Sequence, residues 1–219
     1  MSVIFGSAGF AKEVDWFLHE IHLAGGSKEL LATCFIGKDN VGERINGKRI
    51  LNEDDFINTL AVGEEVQALI AVGSPTLKKK IFENIKQYSQ FIFPTIIYPK
   101  VNFDAREGKV IIGQGSIVCA GSTLTTDIKI GSHVHVNLNC TIGHDCSIGD
   151  FCTLSPGVHV SGNVTIGSGV FIGTGAVILE RLSICDNAII GAGAVVTKSI
   201  MEPGVYVGVP AQKLNILRI

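Results

Sequence analysis

An aliphatic residue recurs at every sixth position through the C-terminal half of this 219-residue chain. The series runs without a gap through Ile112, Val118, Leu124, Ile130, Val136, Ile142, Ile148, Leu154, Val160, Ile166, Ile172, Ile178, Ile184, Ile190 and Val196. The residue four places after each of them is small or apolar, as at Cys140, Cys146 and Cys152. This period does not match the ~3.6-residue period of an α-helix. It predicts short strands joined by bends, the hexapeptide form of the parallel β-helix.

Three hexads make one coil of such a helix, so the run predicts about five coils with three flat faces. With neighbouring strands ~4.8 Å apart, the resulting prism would be roughly 24 Å tall. The tail from Pro203 to Ile219 breaks the period. We expect it to cap the open end, since an uncovered coil would expose strand edges.

The first part of the chain has no six-residue period and alternates strand-like and helix-like segments. The apolar run Ser2 to Phe5 is followed by a glycine-containing turn and by an amphipathic stretch from Ala11 to about Leu23. Strands that alternate with helices predict a parallel sheet covered by helices. We therefore expect a small Rossmann-like domain over residues 1–95 and a β-helix domain with a C-terminal cap over residues 96–219.

Charge and composition exclude several functional classes. The formal net charge is -2 and no basic stripe indicates nucleic-acid binding. No apolar run reaches the roughly 18 residues of a membrane span, and no export signal opens the chain, so a cytoplasmic protein is expected. The six cysteines match no zinc-site spacing and are interpreted as reduced residues of the core.

One histidine lies where the predicted coil would turn. His144 is at the third position of its hexad, near a corner, and Asp145 follows it. Residues eighteen apart stack in such a coil, so Thr126 lies below His144 and Gly162 and Glu180 lie above it. A histidine beside a carboxylate can be oriented as a general base. The alternative is a solvated corner histidine that serves no reaction.

The remaining histidines of the coil do not form a metal site. His133, His135 and His159 stack neither with one another nor with His144, whereas a metal enzyme of this type needs converging histidines. No metal is therefore expected.

Two further features could bind ligands. The column Pro156, Thr174 and Ala192 would form a smooth groove for a long, thin ligand, or a surface that packs against a neighbouring subunit. The turn Gly6-Ser7-Ala8-Gly9 follows a strand and opens a helix, where backbone N–H groups can donate hydrogen bonds to a phosphate. The complete dinucleotide-binding fingerprint is not present.

These segments together resemble a known family. The sequences V-I-F-G-S-A-G-F-A-K near the N-terminus, I-G-H-D-C-S-I-G-D-F in the hexads and V-Y-V-G-V-P-A in the tail are similar to those of the bacterial sugar acetyltransferases. Members of this family include sialic acid O-acetyltransferases and N-acetyltransferases of nucleotide-linked 4-amino sugars. The resemblance covers nearly the whole chain.

The resemblance implies a left-handed β-helix, a homotrimer, and acetyl-CoA in the groove between adjacent prisms. It implies that His144 is the base and that Asp145 raises its basicity. It places the acetyl-CoA contacts at Thr153, Thr174 and Ala192, where Thr153 replaces a histidine that is frequent in the amino-sugar enzymes.

The resemblance also places nucleotide-sugar contacts in the N-terminal domain. These contacts correspond to Ala8, Gly9, Phe10 and Gly73. Phe10 stands where many relatives have histidine, and Gly37-Lys38 stands where many have an acidic pair.

The leading hypothesis is an acetyl-CoA-dependent N-acetyltransferase that acts on a nucleotide-linked sugar of the 4-amino-4,6-dideoxy type, in surface polysaccharide biosynthesis. O-acetylation of sialic acid or a related free sugar is the alternative within the same class. A non-catalytic β-helix scaffold and a metal hydratase are alternatives from other classes.

Overall fold

The computed structural model describes residues 1–61 and 63–214, and the chain divides into two compact units after Pro94. The first unit contains three α-helices and a six-stranded sheet. Its strands are β1 (Ser2–Phe5), β2 (Ala32–Ile36), β3 (Arg44–Ile45), β4 (Lys48–Leu51), β5 (Val66–Ile70) and β6 (Phe91–Ile92). Its helices are α1 (Gly9–Leu23), α2 (Glu53–Thr59) and α3 (Pro75–Ile85), with a short 3-10 helix at Lys28–Leu30.

The strand order in this sheet is β3-β4-β2-β1-β5-β6, and every pairing except β3–β4 is parallel. Strand β1 is buried along its whole length, as expected for a central strand of a parallel sheet. Helix α1 buries the stripe Ala11, Val14, Phe17 and Leu18. The alternating pattern of the sequence therefore yields an N-terminal α/β region.

The β3–β4 hairpin is a feature that the alternation of strands and helices does not predict. Its turn is Asn46-Gly47, with φ of 50° and 79°, the positive values that a two-residue hairpin favours. Asp15 of α1 accepts hydrogen bonds from Asn46 Nδ2 at 3.0 Å and from Lys48 Nζ at 2.7 Å. The hairpin is thus fastened to the helix by a carboxylate that is almost completely buried.

The second unit is a parallel β-helix with three sheets. Its short strands are β7 (Ile96–Ile97), β8 (Asn102–Phe103), β9 (Val110–Ile112), β10 (Ile117–Val118), β11 (Thr123–Leu124), β12 (Ile128–Ile130), β13 (His135–Val136), β14 (Thr141–Ile142), β15 (Ser147–Ile148), β16 (Thr153–Leu154), β17 (His159–Val160), β18 (Thr165–Ile166), β19 (Phe171–Ile172), β20 (Val177–Ile178), β21 (Ser183–Ile184), β22 (Ile189–Ile190) and β23 (Val195–Val196). Paired residues are eighteen apart, as in Thr141↔His159 and Thr153↔Phe171. The three-sided coil predicted from the hexads is confirmed.

Both apolar positions of the hexads point inward. Ile142 and Cys146 are almost completely buried, and Cys140 and Cys152 are inaccessible to solvent. All six cysteines are free thiols. The Cys140 thiol donates to the carbonyl oxygen of Ser155 at 3.2 Å, and burial raises its pKa to about 11. Cys140, Cys146 and Cys152 therefore act as small core residues of the coil.

The coil begins two strands, β7 and β8, before the predicted start at Ile112. Strand β7 pairs with β10 through Ile96↔Ile117, a separation of 21 residues, whereas β9 pairs with β12 through Val110↔Ile128 at the regular 18. Three extra residues between β8 and β9 hide the period in this first turn.

The tail adds two strands to the sheet that contains β22 and so covers the C-terminal end of the coil. Strand β24 (Val205–Val207) pairs in parallel with β22, and β25 (Gln212–Lys213) turns back antiparallel on β24. The expected C-terminal cap is therefore a hairpin, and the part of that prediction over residues 215–219 lies outside the described residues. In the described part of the chain, no helix has the length and apolar character that crossing a membrane requires.

Candidate active site

The corner between β14 and β15 carries the candidate base. Gly143, His144 and Asp145 form the bend, with Asp145 in the left-handed region at φ 60°. The coil below binds this corner through Asp145 N and the carbonyl of Thr126 at 3.2 Å. The coil above binds it through Asn163 N and the carbonyl of His144 at 2.7 Å. The stacked coils therefore fix the backbone of the histidine on both sides.

The side chains of His144 and Asp145 form a hydrogen-bonded pair. His144 Nδ1 lies 2.7 Å from Asp145 Oδ2, and the two side chains are 64% and 59% exposed. In the neutral imidazole the Nδ1–H donates to this carboxylate, which leaves the lone pair on Nε2. The arrangement presents an oriented, accessible imidazole at a corner of the prism, where the spacing of the hexads places it.

Gly162 leaves the space beside this ring open. A Cβ atom at Gly162 would lie 2.5 Å from His144 Nε2 and 2.7 Å from Cε1. Any side chain at this position would therefore displace the imidazole. The sequence column that places Gly162 above His144 predicts this contact.

A cavity of about 440 Å³ opens beside Asp145 on the sheet that contains β12 and β15. It is lined by Gly108, Asp127, Ile128, Lys129, Asp145, Cys146 and Ser147. Sequence reasoning did not single out Asp127, Lys129 or Ser147. The available signal was the eighteen-residue spacing that stacks Lys129 on Ser147.

The small-residue column exists as a ladder of stacked corners. Gly175 N donates to the carbonyl of Pro156 at 3.0 Å, and Gly193 N donates to the carbonyl of Thr174 at 2.8 Å. Thr174 and Ala192 are exposed. Thr153, by contrast, is buried on strand β16 and does not belong to this column.

In the N-terminal unit, three turns follow strands that share one edge of the sheet. Strand β1 pairs in parallel with both β2 and β5, so their carboxyl ends meet at that edge. Gly6, after β1, has φ 125°, and a Cβ there would lie 2.7 Å from the carbonyl oxygen of Ala71. A Cβ at Gly37, after β2, would lie 2.8 Å from Ser7 Oγ. Ligands of open α/β sheets bind outside such strand ends.

The four predicted sugar-nucleotide contacts lie in these turns or at the start of helix α1, which follows the first of them. Ala8 is the N-cap residue of α1 and provides no side-chain hydrogen bond to the first turn. Gly9 is exposed, Phe10 is half-buried, and Gly73 is exposed in the turn that follows β5. Apart from the adjoining backbone and the two chain neighbours, no heavy atom of the described residues lies within 4 Å of a Cβ built on Gly9 or Gly73. The sequence-predicted residues are therefore brought to the same edge of the sheet.

The other histidines do not join His144. His133 and His135 are buried, and the His133 ring stacks on Phe151 at 5.2 Å between ring centroids. His159 Nδ1 lies 2.8 Å from Thr141 Oγ1. Within residues 1–61 and 63–214, no group of three His, Cys, Asp or Glu side chains is arranged to hold a metal ion.

Comparison with known proteins gives consistent matches over most of the chain. Residues 128–174 match the family described as hexapeptide repeat of succinyl-transferase, and residues 163–198 match bacterial transferase hexapeptide (six repeats). GDP-perosamine N-acetyltransferase of Escherichia coli O157:H7 is 31% identical over 208 residues, which span 94% of this chain and 81% of that protein.

Two solved structures share the fold over nearly their whole length. One is the acetyltransferase domain of PglB from Neisseria gonorrhoeae FA1090 in complex with acetyl coenzyme A, with a TM-score of 0.85, 29% identity and coverage of 97% of this chain and 98% of that one. The other is WeeI from Acinetobacter baumannii AYE, with a TM-score of 0.81, 32% identity and coverage of 98% and 99%. Together with the repeat matches, they identify the coil as a left-handed β-helix that follows an α/β region.

Proposed function

Because this chain belongs to the hexapeptide-repeat sugar acetyltransferases of bacteria, we propose that it transfers an acetyl group from acetyl-CoA to the amine of a nucleotide-linked sugar of the 4-amino-4,6-dideoxy type. The observation that carries the proposal is the exposed His144–Asp145 pair, in which Asp145 orients the imidazole and leaves Nε2 free. The similarity to a GDP-perosamine N-acetyltransferase supports a nucleotide-linked amino sugar as the acceptor.

The proposed mechanism is general base catalysis. Acetyl-CoA supplies an activated thioester carbonyl, so no serine or cysteine nucleophile is needed. His144 Nε2 removes the proton from the acceptor amine as the amine attacks the thioester carbonyl, a contribution of typically ~10²–10⁴-fold. The C–S bond then breaks, and the protonated imidazole returns the proton to the sulfur, so that CoA leaves as the free thiol. Backbone N–H groups that line the groove stabilise the charge that develops on the carbonyl oxygen. Holding both substrates in one cleft supplies much of the remaining acceleration.

The residues that would hold acetyl-CoA are Thr174 and Ala192 of the small-residue column, with Thr153 on the neighbouring sheet. The exposed, nearly flat surface of Thr174 and Ala192 suits a long, thin ligand that runs along the stacked corners. We propose that this column meets the His144 corner of a second copy in a homotrimer. Light scattering should then give three times the 23.3 kDa chain mass.

The N-terminal unit, as a Rossmann-like domain, would bind the nucleotide of the acceptor. Uncapped backbone N–H groups in the first turn of α1, next to Ala8 and Gly9, suit a phosphate. Phe10 and Gly73 would line the same edge of the sheet, where nothing obstructs Gly73.

A panel of nucleotide-linked amino sugars and sialic acids, assayed for release of free CoA, tests the proposal. Mass spectrometry of the product, with and without mild base that removes O-acetyl esters, separates N-acetylation from O-acetylation. The proposal expects a base-stable acetamide on a nucleotide-linked amino sugar. A base-labile ester on sialic acid would replace it with the O-acetyltransferase alternative. A protein that shows neither turnover nor thermal stabilisation by CoA would be a scaffold.

A further inference from the structure

The cavity beside Asp145 reaches beyond the groups that the proposed reaction uses. Its volume of about 440 Å³ is within the range of small-molecule sites. Asp145, the chain neighbour of His144, lines the cavity together with the register partners Lys129 and Ser147.

The charged side chains that line this cavity differ in whether they have a partner. Asp127 Oδ1 lies 2.7 Å from Lys109 Nζ, and this hydrogen bond holds the pKa of the Asp127 carboxyl below its usual range. Asp145 is hydrogen-bonded to His144, and it keeps its negative charge when the imidazole is neutral. In the parts of the chain that the structure describes, no carboxylate lies within ion-pair distance of Lys129, which is exposed. The cation of the cavity is therefore available for an anionic ligand.

The coil places a hydroxyl group next to this cation. Lys129 of β12 and Ser147 of β15 are direct register partners, and both are exposed while Ile130 and Ile148 beside them are buried. Adjacent strands are ~4.8 Å apart, so an ammonium and a hydroxyl at paired positions can donate to oxygens of the same phosphoryl group.

We infer that Lys129 and Ser147 bind the phosphate that is attached to the anomeric carbon of the acceptor sugar, and that Lys129 selects phosphate-linked sugars over free sugars. This inference rests on the proposed function. In a 4-amino sugar the amine and the anomeric phosphate lie at opposite ends of the ring. The cavity is lined both by Asp145, the chain neighbour of His144, and by Lys129, and the inference places the sugar ring between them.

Kinetics of Lys129→Ala test this assignment. For a nucleotide-linked 4-amino sugar we expect KM to rise about tenfold to a hundredfold, the range for loss of a hydrogen bond to a charged group, with kcat nearly unchanged. For the same amino sugar without phosphate, the variant and the wild type should be equal. Lys129→Arg keeps the charge and should recover most of the loss. Lys100→Ala, an exposed lysine of the same unit, is the matched control.

Two kinetic results would overturn the inference. One is an unchanged KM for the nucleotide-linked sugar. The other is an equal loss on the phosphate-free sugar, which would mean that Lys129 acts on the ring or on the fold.

A binding experiment separates this inference from the proposed function. A hexose 1-phosphate is titrated into the wild type and into Lys129→Ala by calorimetry, which requires no turnover. The inference expects the wild type to bind and the variant to bind at least tenfold more weakly. Absence of binding to the wild type, or equal binding to both proteins, refutes it. Failure of every nucleotide sugar as a substrate would contradict the proposed function while this titration still decides the phosphate site.

Discussion

The Nδ1 atom of His144 lies 2.7 Å from Oδ2 of Asp145, the next residue in the chain. Two adjacent residues can meet in this way because the bend puts Asp145 in the left-handed region, at φ 60°. Asp and Asn tolerate this conformation better than most residues with a side chain. Asp145 thus has two roles: it adopts the left-handed backbone conformation that the bend requires, and it orients the imidazole of His144.

Asp145→Asn tests the role of the carboxylate with little change to the backbone. Asparagine keeps the left-handed bend, but it replaces an anionic acceptor with a neutral amide that can also present its NH₂ group to Nδ1. We expect kcat/KM for acetyl transfer to fall at least tenfold, with a melting temperature close to that of the wild type. Steady-state kinetics and thermal unfolding provide the two readings. Glu180→Gln, an exposed acid two coils above His144, is the control, and an equal effect of both variants would contradict the assigned role.

Gly162→Ala tests whether the space beside the imidazole is needed. The added Cβ would lie 2.5 Å from His144 Nε2, so the ring must move away from its position beside Asp145. We expect turnover to fall at least tenfold, within the range of general base catalysis, while the protein still folds. If the crystal structure of the variant shows a displaced His144 ring and the variant still turns over at the wild-type rate, the ring position beside Asp145 is not the reactive one.

The first turn of the coil and the β3–β4 hairpin are the two parts of the fold that the sequence analysis did not predict. The hexads are visible because both inward positions must be apolar in every turn, from Ile112 to Val196. Three extra residues before Val110 remove that signal from the first turn. The β3–β4 hairpin was missed although Asn46-Gly47 signals a turn, because its strands are only two and four residues long.

The candidate base was predictable from sequence, whereas the cavity beside it was not. His144, Asp145 and Gly162 follow from spacing along one column of the coil. The cavity depends on which lysine pairs with which carboxylate. Lys109 is bound to Asp127, whereas Lys129, in strand β12, has no carboxylate within ion-pair distance in the described ranges. Whether a lysine is paired depends on the positions of the side chains, which the six-residue repeat does not specify.

Cys140 should make stability depend on pH at the alkaline end. Burial raises its pKa to about 11, whereas an unfolded thiol titrates near pH 8.5 to 9. The unfolded chain therefore loses this proton first, so the free energy of unfolding is unaffected below about pH 8.5 and falls as the pH rises toward 11. The full effect is up to ~3 kcal/mol.

Urea unfolding at pH 7, 9 and 10.5 measures this dependence. Cys140→Ala is the matched variant, because Ala176 already occupies an equivalent inward position of the coil. The variant should lose less stability between pH 9 and 10.5 than the wild type. Identical pH slopes for the two proteins would show that Cys140 does not contribute to them.

The most direct test of the account is acetyl transfer by His144→Ala to a nucleotide-linked 4-amino sugar that the wild type accepts. The side chain is 64% exposed, so the variant should fold, assemble and bind CoA like the wild type. Single-turnover measurements of acetylated product should show a rate reduced by at least ~10². A rate close to that of the wild type would contradict the assignment of His144 as the base.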